Sequence, residues 1–397
     1  MTVITGTDEL ARFCERQART GFIAVDTEFM RENTFWPKLC LVQLAGPEEA
    51  VAVDPLAPGI DLTPLFAVMT APNVLKVFHS ARQDIEIFVH LTGRVPAPLF
   101  DTQVAAMVCG FGESVGYDTL AARLAGARID KTSRFTDWSR RPLTDKQIRY
   151  ALADVVHLRP VYEKLQRRLA ESGREPWLEE EMSVLTDPAT YTIEPEDAWR
   201  RIKTRSTDPR LLGVLREVAA WREREAQKRD LPRGRLLRDD IVLEIAASAP
   251  RSPEQLAQVR GISRSMAEGW QGTGILAAVE RAKGMTRDQL PRAEERPQLP
   301  PGVGPVIELL RVLLKMASEE HGVAQKLVAS AGDLERIAAE DDADVPALRG
   351  WRRQVFGEHA LALKEGRIAL AVAGRRLTVV PAQDGAAAAD AEAGEGG

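Results

Sequence analysis

Residues 22–45 read FIAVDTEFMRENTFWPKLCLVQLA. The apolar runs Phe22–Asp26 and Leu39–Ala45 are short and read as strands. Asp26 and Glu28 stand two apart at the end of the first run, and residues two apart on a strand share one face. Two carboxylates on one face repel unless a cation lies between them, and their oxygens suit magnesium or manganese. A solvated strand end accounts for an isolated Asp-x-Glu equally well, so the rest of the chain must decide.

Outward from this stretch, Ala50–Val53 and Leu75–Phe78 give two more strands. Helical patterns cover Glu9–Arg19 after Asp8, Ala81–Leu91 after Ser80, Thr102–Val108 after Asp101, and Tyr117–Leu124. A long helix is expected from Thr144 to Leu169, opened by Thr-Asp-Lys-Gln as a capping box. Strands clustered early among helices predict a mixed sheet flanked by helices. Asp84 follows the fourth strand, and Asp154 lies on the long helix with Tyr150 one turn earlier on the same face. A strand-borne Asp-x-Glu, a strand-to-helix Asp and a helical Tyr-x-x-x-Asp in that order outweigh any of them alone.

These residues carry a resemblance. DTEFMRENTFWPKLCLVQLA (26–45), KVFHSARQDIEIF (76–88) and DKTSRFTDWSRRPLTDKQIRYALADV (130–155) resemble the three exonuclease motifs of the ribonuclease D family, the tyrosine branch of the DEDD 3′→5′ exonucleases. The histidine branch would carry His five residues before the last Asp, where Arg149 stands. The resemblance implies a ribonuclease H-like α/β domain that trims 3′ ends of precursor tRNA and other structured RNAs, releasing nucleoside 5′-monophosphates. It implies that Asp26, Glu28, Asp84 and Asp154 hold two divalent ions, Mg2+ or Mn2+, around the scissile phosphate. Tyr150 would orient the attacking water, since a phenol with pKa near 10 is a poor base at neutral pH.

Other residues have two readings each. Phe29 and Met30 either meet the terminal base or belong to the core. Phe35 and Trp36 pose the same choice. His79 falls in the second motif, as substrate contact or structural hydrogen-bonder. Lys131, Trp138 and Arg141 either line the RNA path or fix their loop by packing and ion pairs. Asp101 reads as an N-cap rather than a ligand. Glu86 is expected to point elsewhere, and His157, His90, His321 and His359 to be incidental.

Past residue 200 the strand signal stops. PRLLGVLREVAAWREREAQ (209–227) is loosely repeated by PVIELLRVLLKMASEEHGVAQ (305–325), IVLEIA (241–246) by LERIA (334–338), and Arg260-Gly261 by Arg349-Gly350. Short helices are expected at 239–247, 253–259 and 263–271. The two copies resemble HRDC modules, the second degenerate. The division is 1–204 exonuclease, 205–286 first all-α module, 287–302 proline- and charge-rich linker, 303–380 second module, 381–397 disordered acidic tail. Lys228, Arg229, Arg233, Arg235 and Arg238 form the densest basic cluster, a phosphate-binding surface or a solvated face.

Bulk properties narrow the class. The 397 residues are 44% hydrophobic and 28% charged with net charge −5, so a polyanion needs a local basic patch or bound cations. Cys14, Cys40 and Cys109 are too few and too scattered for a disulfide framework or zinc site. Neither a signal-peptide plan nor a membrane-length apolar run occurs, which predicts a cytoplasmic protein. The competing readings are a DNA exonuclease of the same plan and a catalytically silent RNA-binding adaptor, which would lack a carboxylate.

Overall fold

The computed structural model describes residues 2–293 and 299–382. Its sheet comes from the first hundred residues: β1 (Thr2–Ile4), β2 (Phe22–Met30), β3 (Lys38–Ala45), β4 (Ala50–Val53), β5 (Leu75–Phe78) and β6 (Leu99–Asp101). The spatial order is β1-β4-β3-β2-β5-β6. The β2–β3 and β3–β4 pairs are antiparallel, and β1–β4, β2–β5 and β5–β6 are parallel. β2 thus lies mid-sheet and runs further than FIAVD, through Glu28 to Met30. Its pairing with β3 shifts register between Glu28 and Phe29, a local irregularity that re-aims the side chains beyond it.

The flanking helices are α1 (Thr7–Gln17), α2 (Thr63–Met69), α3 (Arg82–Thr92), α4 (Thr102–Val108), α5 (Tyr117–Ala125), α6 (Asp145–Val156), α7 (Leu158–Ser172) and α8 (Glu175–Thr186). Neither Asp8 nor Ser80 caps its helix; Gly6 and Ala81 occupy those positions without a side-chain bond. The capping box at Thr144 and Gln147 forms as expected. The single long helix does not: it divides at His157 into α6 and α7. Pro160 is the reason, because it has no N–H for the Val156 carbonyl and its ring crowds that position.

The first helical module is built around α9 (Pro209–Arg229), with helices Asp239–Ser248 and Trp270–Lys283 beside it. The last of these is longer than the helix expected at 263–271, which ends at Glu268 and restarts at Trp270. Trp199 and Ile202 pack into this module's core rather than the nuclease's, ahead of the boundary expected at 204. At the other end, the Leu290 side chain occupies the space a Cβ on Gly213 would need, so the start of the expected linker lies against α9. Residues 294–298 of that linker lie outside the described residues.

The second module contains helices Val303–His321 and Ala331–Ala339, then a further correction. Residues 368–381 are not helical but form a hairpin, β7 (Ile368–Ala373) against β8 (Arg376–Pro381), turning at Gly374 with φ +63°. Pro381, assigned to the tail from sequence, closes β8; residues 383–397 lie outside the described residues. This module shares one apolar core with the nuclease. The Ala324 N–H donates to the Met107 carbonyl at 3.0 Å, Arg174 bridges the Val108 and Gly322 carbonyls, and Trp177 stacks on Trp351 at 4.3 Å. Gly110, at φ +77°, faces Gly322 so closely that a Cβ would sit 2.5 Å from its carbonyl oxygen. Among the described residues no helix is long and apolar enough to cross a membrane.

Candidate active site

β2, α3 and α6 bring the four acids to one cleft of about 1130 Å³. Ligand oxygens of Asp26, Glu28 and Asp154 lie within 4.8 Å of one another. Asp84, buried at the start of α3, lines the same cleft and accepts a hydrogen bond from the Thr27 hydroxyl. Thr27 was not singled out from sequence, because only the β2–α3 packing makes it a partner.

The electrostatics follow from this crowding. Burial, reinforced by Asp26, Asp154 and Asp84, pushes Glu28 up to about 10. Burial pushes Asp154 up to about 7 against the opposing pull of Tyr150 and Arg134. Asp26 and Asp84 are held well above the usual carboxylate range, by burial first and by the neighbouring acids second. Burial and crowding thus disfavour the charged carboxylates; a divalent cation would supply the missing countercharge. The donor set is all oxygen, which fits Mg2+ or Mn2+ rather than a metal favouring nitrogen or sulfur.

Two phenols face the acids. Tyr150 is hydrogen-bonded to Asp154, and burial first, then the Asp154 charge, raises its pKa, so it stays protonated and donates. Tyr117, which sequence reading passed over, donates to the Ala153 carbonyl at 3.1 Å and is likewise raised by burial. Arg134 is a third omission. It lines the cleft and opposes the upward shifts of Glu28 and Asp154.

The second motif is held by a brace that the sequence did not announce. Ser80 sits at φ +61°, and the buried Asp101 carboxylate accepts from the Ser80 and Ala81 N–H groups at 3.0 and 2.8 Å. The same carboxylate caps α4 through Gln103, so the N-cap reading holds, and Asp101 in addition fixes the turn that presents Asp84. His79 lines the cleft with Nδ1 at 3.0 Å from the Thr102 hydroxyl. That hydroxyl also lies 3.0 Å from the Phe78 carbonyl oxygen, to which it can donate.

Phe29 and Met30 line the cleft. Phe35 and Trp36 do not. Phe35 is buried with Ala226 and Leu236 of the first helical module, and Trp36 stacks on His90 at 4.2 Å. His90 is therefore not incidental to the packing. Arg141 is committed to its loop: it grips Asp54 with two bonds and also donates to the Cys40 and Trp138 carbonyls. Trp138 lines the cleft although it is almost wholly buried, 6.1 Å from the Tyr150 ring. The side chain of Lys131 lies outside the described residues. Glu86 pairs with Arg31.

The basic cluster is largely spoken for. Arg229 pairs with Glu225 and covers Trp270, Arg233 pairs with the buried Glu223 and covers Phe35, Arg238 pairs with Asp240, and Arg235 donates to Asn33. These contacts join the module to itself and to the cleft-wall loop, while Lys228, Arg229, Arg235 and Arg238 stay exposed. Asp230, in left-handed conformation at the end of α9, completes that joint by accepting from the Phe35 and Trp36 N–H groups.

Comparison with known proteins agrees with this geometry. Residues 1–170 match the 3′-5′ exonuclease family model and residues 212–279 the HRDC domain model. Ribonuclease D of Gluconacetobacter diazotrophicus is 54% identical over 380 residues, covering 96% of this chain and 97% of the relative. That of Nitrobacter hamburgensis is 55% identical, covering 96% and 99%. The crystal structure of Escherichia coli RNase D, described as an exoribonuclease involved in structured RNA processing, superposes with a TM-score of 0.77 at 32% identity, covering 92% of this chain and 98% of the other.

Proposed function

Since the chain belongs to the ribonuclease D family and is a 3′→5′ exoribonuclease, we propose that Asp26, Glu28, Asp84 and Asp154 are the residues of its hydrolytic centre, with Tyr150 orienting the attacking water. The observation that carries this is the crowding of four carboxylates in one cleft, three of them with oxygens within 4.8 Å of one another. These acids would hold two divalent ions, Mg2+ or Mn2+, which when bound neutralise phosphate charge and lower the pKa of a coordinated water.

The protein's own groups supply the rest. Tyr150 keeps its proton and, while bonded to Asp154, holds a water by its hydroxyl oxygen. Phe29, Met30 and His79 wall the terminal nucleotide. Arg134 supplies positive charge beside Glu28 and Asp154 where phosphate arrives. The products are nucleoside 5′-monophosphates released singly from a single-stranded 3′ tail. Precursor tRNA is the substrate we assign, in the cytoplasm, with the first helical module offering Lys228 and its remaining arginines to the backbone. The second module, a degenerate HRDC fold in this reading, acts as a buttress of the nuclease core.

The test uses 5′-labelled RNA with a single-stranded 3′ tail, Mg2+, Mn2+ or EDTA, an Asp154→Asn variant and a 3′-phosphate-blocked RNA. A metal-dependent ladder shortening from the 3′ end, absent in the variant, is expected. RNA binding without shortening under either metal would overturn the assignment of these residues.

A further inference from the structure

Phe135 is the most exposed large apolar side chain among the described residues, at 91%. Scattered surface apolar residues are ordinary. This one is not scattered, because it lines the cleft that contains the four acids. Nor is it on a loose loop. Ser133 before it and Trp138 after it are buried. The Thr136 hydroxyl donates to the Ser133 carbonyl at 2.9 Å and accepts from the Gln147 amide, tying the loop to the N-terminal turn of α6. Asp137 turns the chain back by accepting from the Ser139 N–H. The phenyl is thus presented to solvent from a backbone fixed on both sides. Beside it, the Arg134 guanidinium lies 5.3 Å from the ring centroid.

An exposed ring fixed beside a cation at the mouth of an acidic cleft suits one kind of contact. Nucleobases are flat and stack on an aromatic face whatever their identity, while a neighbouring guanidinium meets the phosphate between two of them. Because the acids lie on the cleft floor and Phe135 at its open rim, the base it meets lies upstream of the terminal nucleotide. We infer that Phe135, flanked by Arg134, is a stacking subsite for a base of the single-stranded 3′ tail, and so sets how many unpaired nucleotides the enzyme needs. This rests on the reading of the cleft as the RNA-hydrolysing site.

The experiment compares full-length wild type, Phe135→Ala and Phe135→Trp on labelled RNAs whose 3′ tails differ in length or carry a single abasic residue at successive positions. Melting curves of the three proteins check that folding is intact. Losing one base–aromatic stack raises KM about ten- to a hundredfold. The expected result is that rise for Phe135→Ala, its reversal by Phe135→Trp, and one tail position where an abasic residue costs the wild type a similar factor but costs Phe135→Ala nothing more. Wild-type KM for Phe135→Ala on intact tails, or penalties that simply multiply at every abasic position, would overturn the subsite alone. Failure of the wild type to shorten any of these RNAs with Mg2+ or Mn2+ would overturn the cleft reading and the subsite with it.

Discussion

Replacing Asp154 by asparagine is expected to stabilise the metal-free protein while abolishing hydrolysis. Burial pushes the Asp154 carboxyl from 3.8 up to about 7. A carboxyl whose folded pKa is raised binds its proton more tightly in the folded state. Stability therefore falls as pH rises from about 4, where the unfolded chain ionises, and levels off above about 7. A gap of about three pH units at 1.36 kcal/mol each bounds the penalty at about 4 kcal/mol. Partial solvent access and coupling to Asp26 and Glu28 leave roughly 2–4 kcal/mol at alkaline pH. Asparagine cannot ionise, and it also removes one of the charges raising Asp26 and Glu28. At roughly 2–4 °C per kcal/mol, the variant should melt about 5–10 °C above wild type near pH 8.5 in EDTA. Near pH 5 the advantage should shrink to less than half. The assay is thermal melting across pH, in EDTA and with saturating Mg2+ or Mn2+, beside hydrolysis of tailed RNA. Metal should raise the wild-type melting temperature and close the gap, because it binds the folded carboxylates. An advantage of equal size at every pH, or none at pH 8.5, would refute the view that the cleft holds its acids against repulsion.

Four further substitutions probe the supports of the site. Asp230→Ala leaves the Phe35 and Trp36 N–H groups without their acceptor. It should cost about 1–3 kcal/mol and lower kcat/KM even on a dinucleotide too short to reach the helical module, read by melting and initial rates. Arg141→Met strands the buried Asp54 carboxylate and should cost about 3–5 kcal/mol, most of it recovered when Asp54→Asn is added, as chemical denaturation would show. Lys76 is fully buried with its ammonium donating to the Ala71, Val74 and Ala97 carbonyls, so Lys76→Met should lose about 2–4 kcal/mol by the same measurement. Tyr150→Phe should lower kcat roughly 10–100-fold while keeping the metal-induced rise in melting temperature, since the ring stays packed by Trp138 and only the hydroxyl is lost.

How much of this was legible depends on how local each cause is. The strands at Phe22, Leu39, Ala50 and Leu75, the Thr144 box and the Asp101 cap rest on neighbours in sequence, and all were visible there. The break at His157 was also local, with Pro160 in plain view, but the apolar period running across it masked it. The hairpin at 368–381 is hard to see because IALAVA is apolar at every position, so its period of two is one of size, Ile, Leu and Val against Ala, and not of polarity. The order of the acids could be read; their distances could not, because Asp26, Asp84 and Asp154 come from three elements. The arginines of 229–238 show the opposite limit. Composition counts charges, whereas the fold decides their partners: Glu223 pairs with Arg233, and Asn33 holds Arg235 without cancelling its charge.

The pairing of these arginines bears on how a chain of net charge −5 holds RNA. A cleft floored by carboxylates repels phosphate, and of the nearby arginines Arg233 is paired with Glu223 over Phe35 while Arg235 is held by Asn33 of the cleft-wall loop. Attraction at the reaction centre must therefore come chiefly with the cations and Arg134, and attraction along the tail in good part from contacts that do not depend on charge. Stacking on exposed rings is such a contact. Binding should then fall less steeply with salt than expected of a protein gripping many phosphates, where each neutralised phosphate adds nearly one to the slope. A salt slope of only a few, measured in Ca2+ to hold the centre filled without turnover, fits a cleft that works through metal and stacking. A slope near ten would place the grip on an extended basic surface instead.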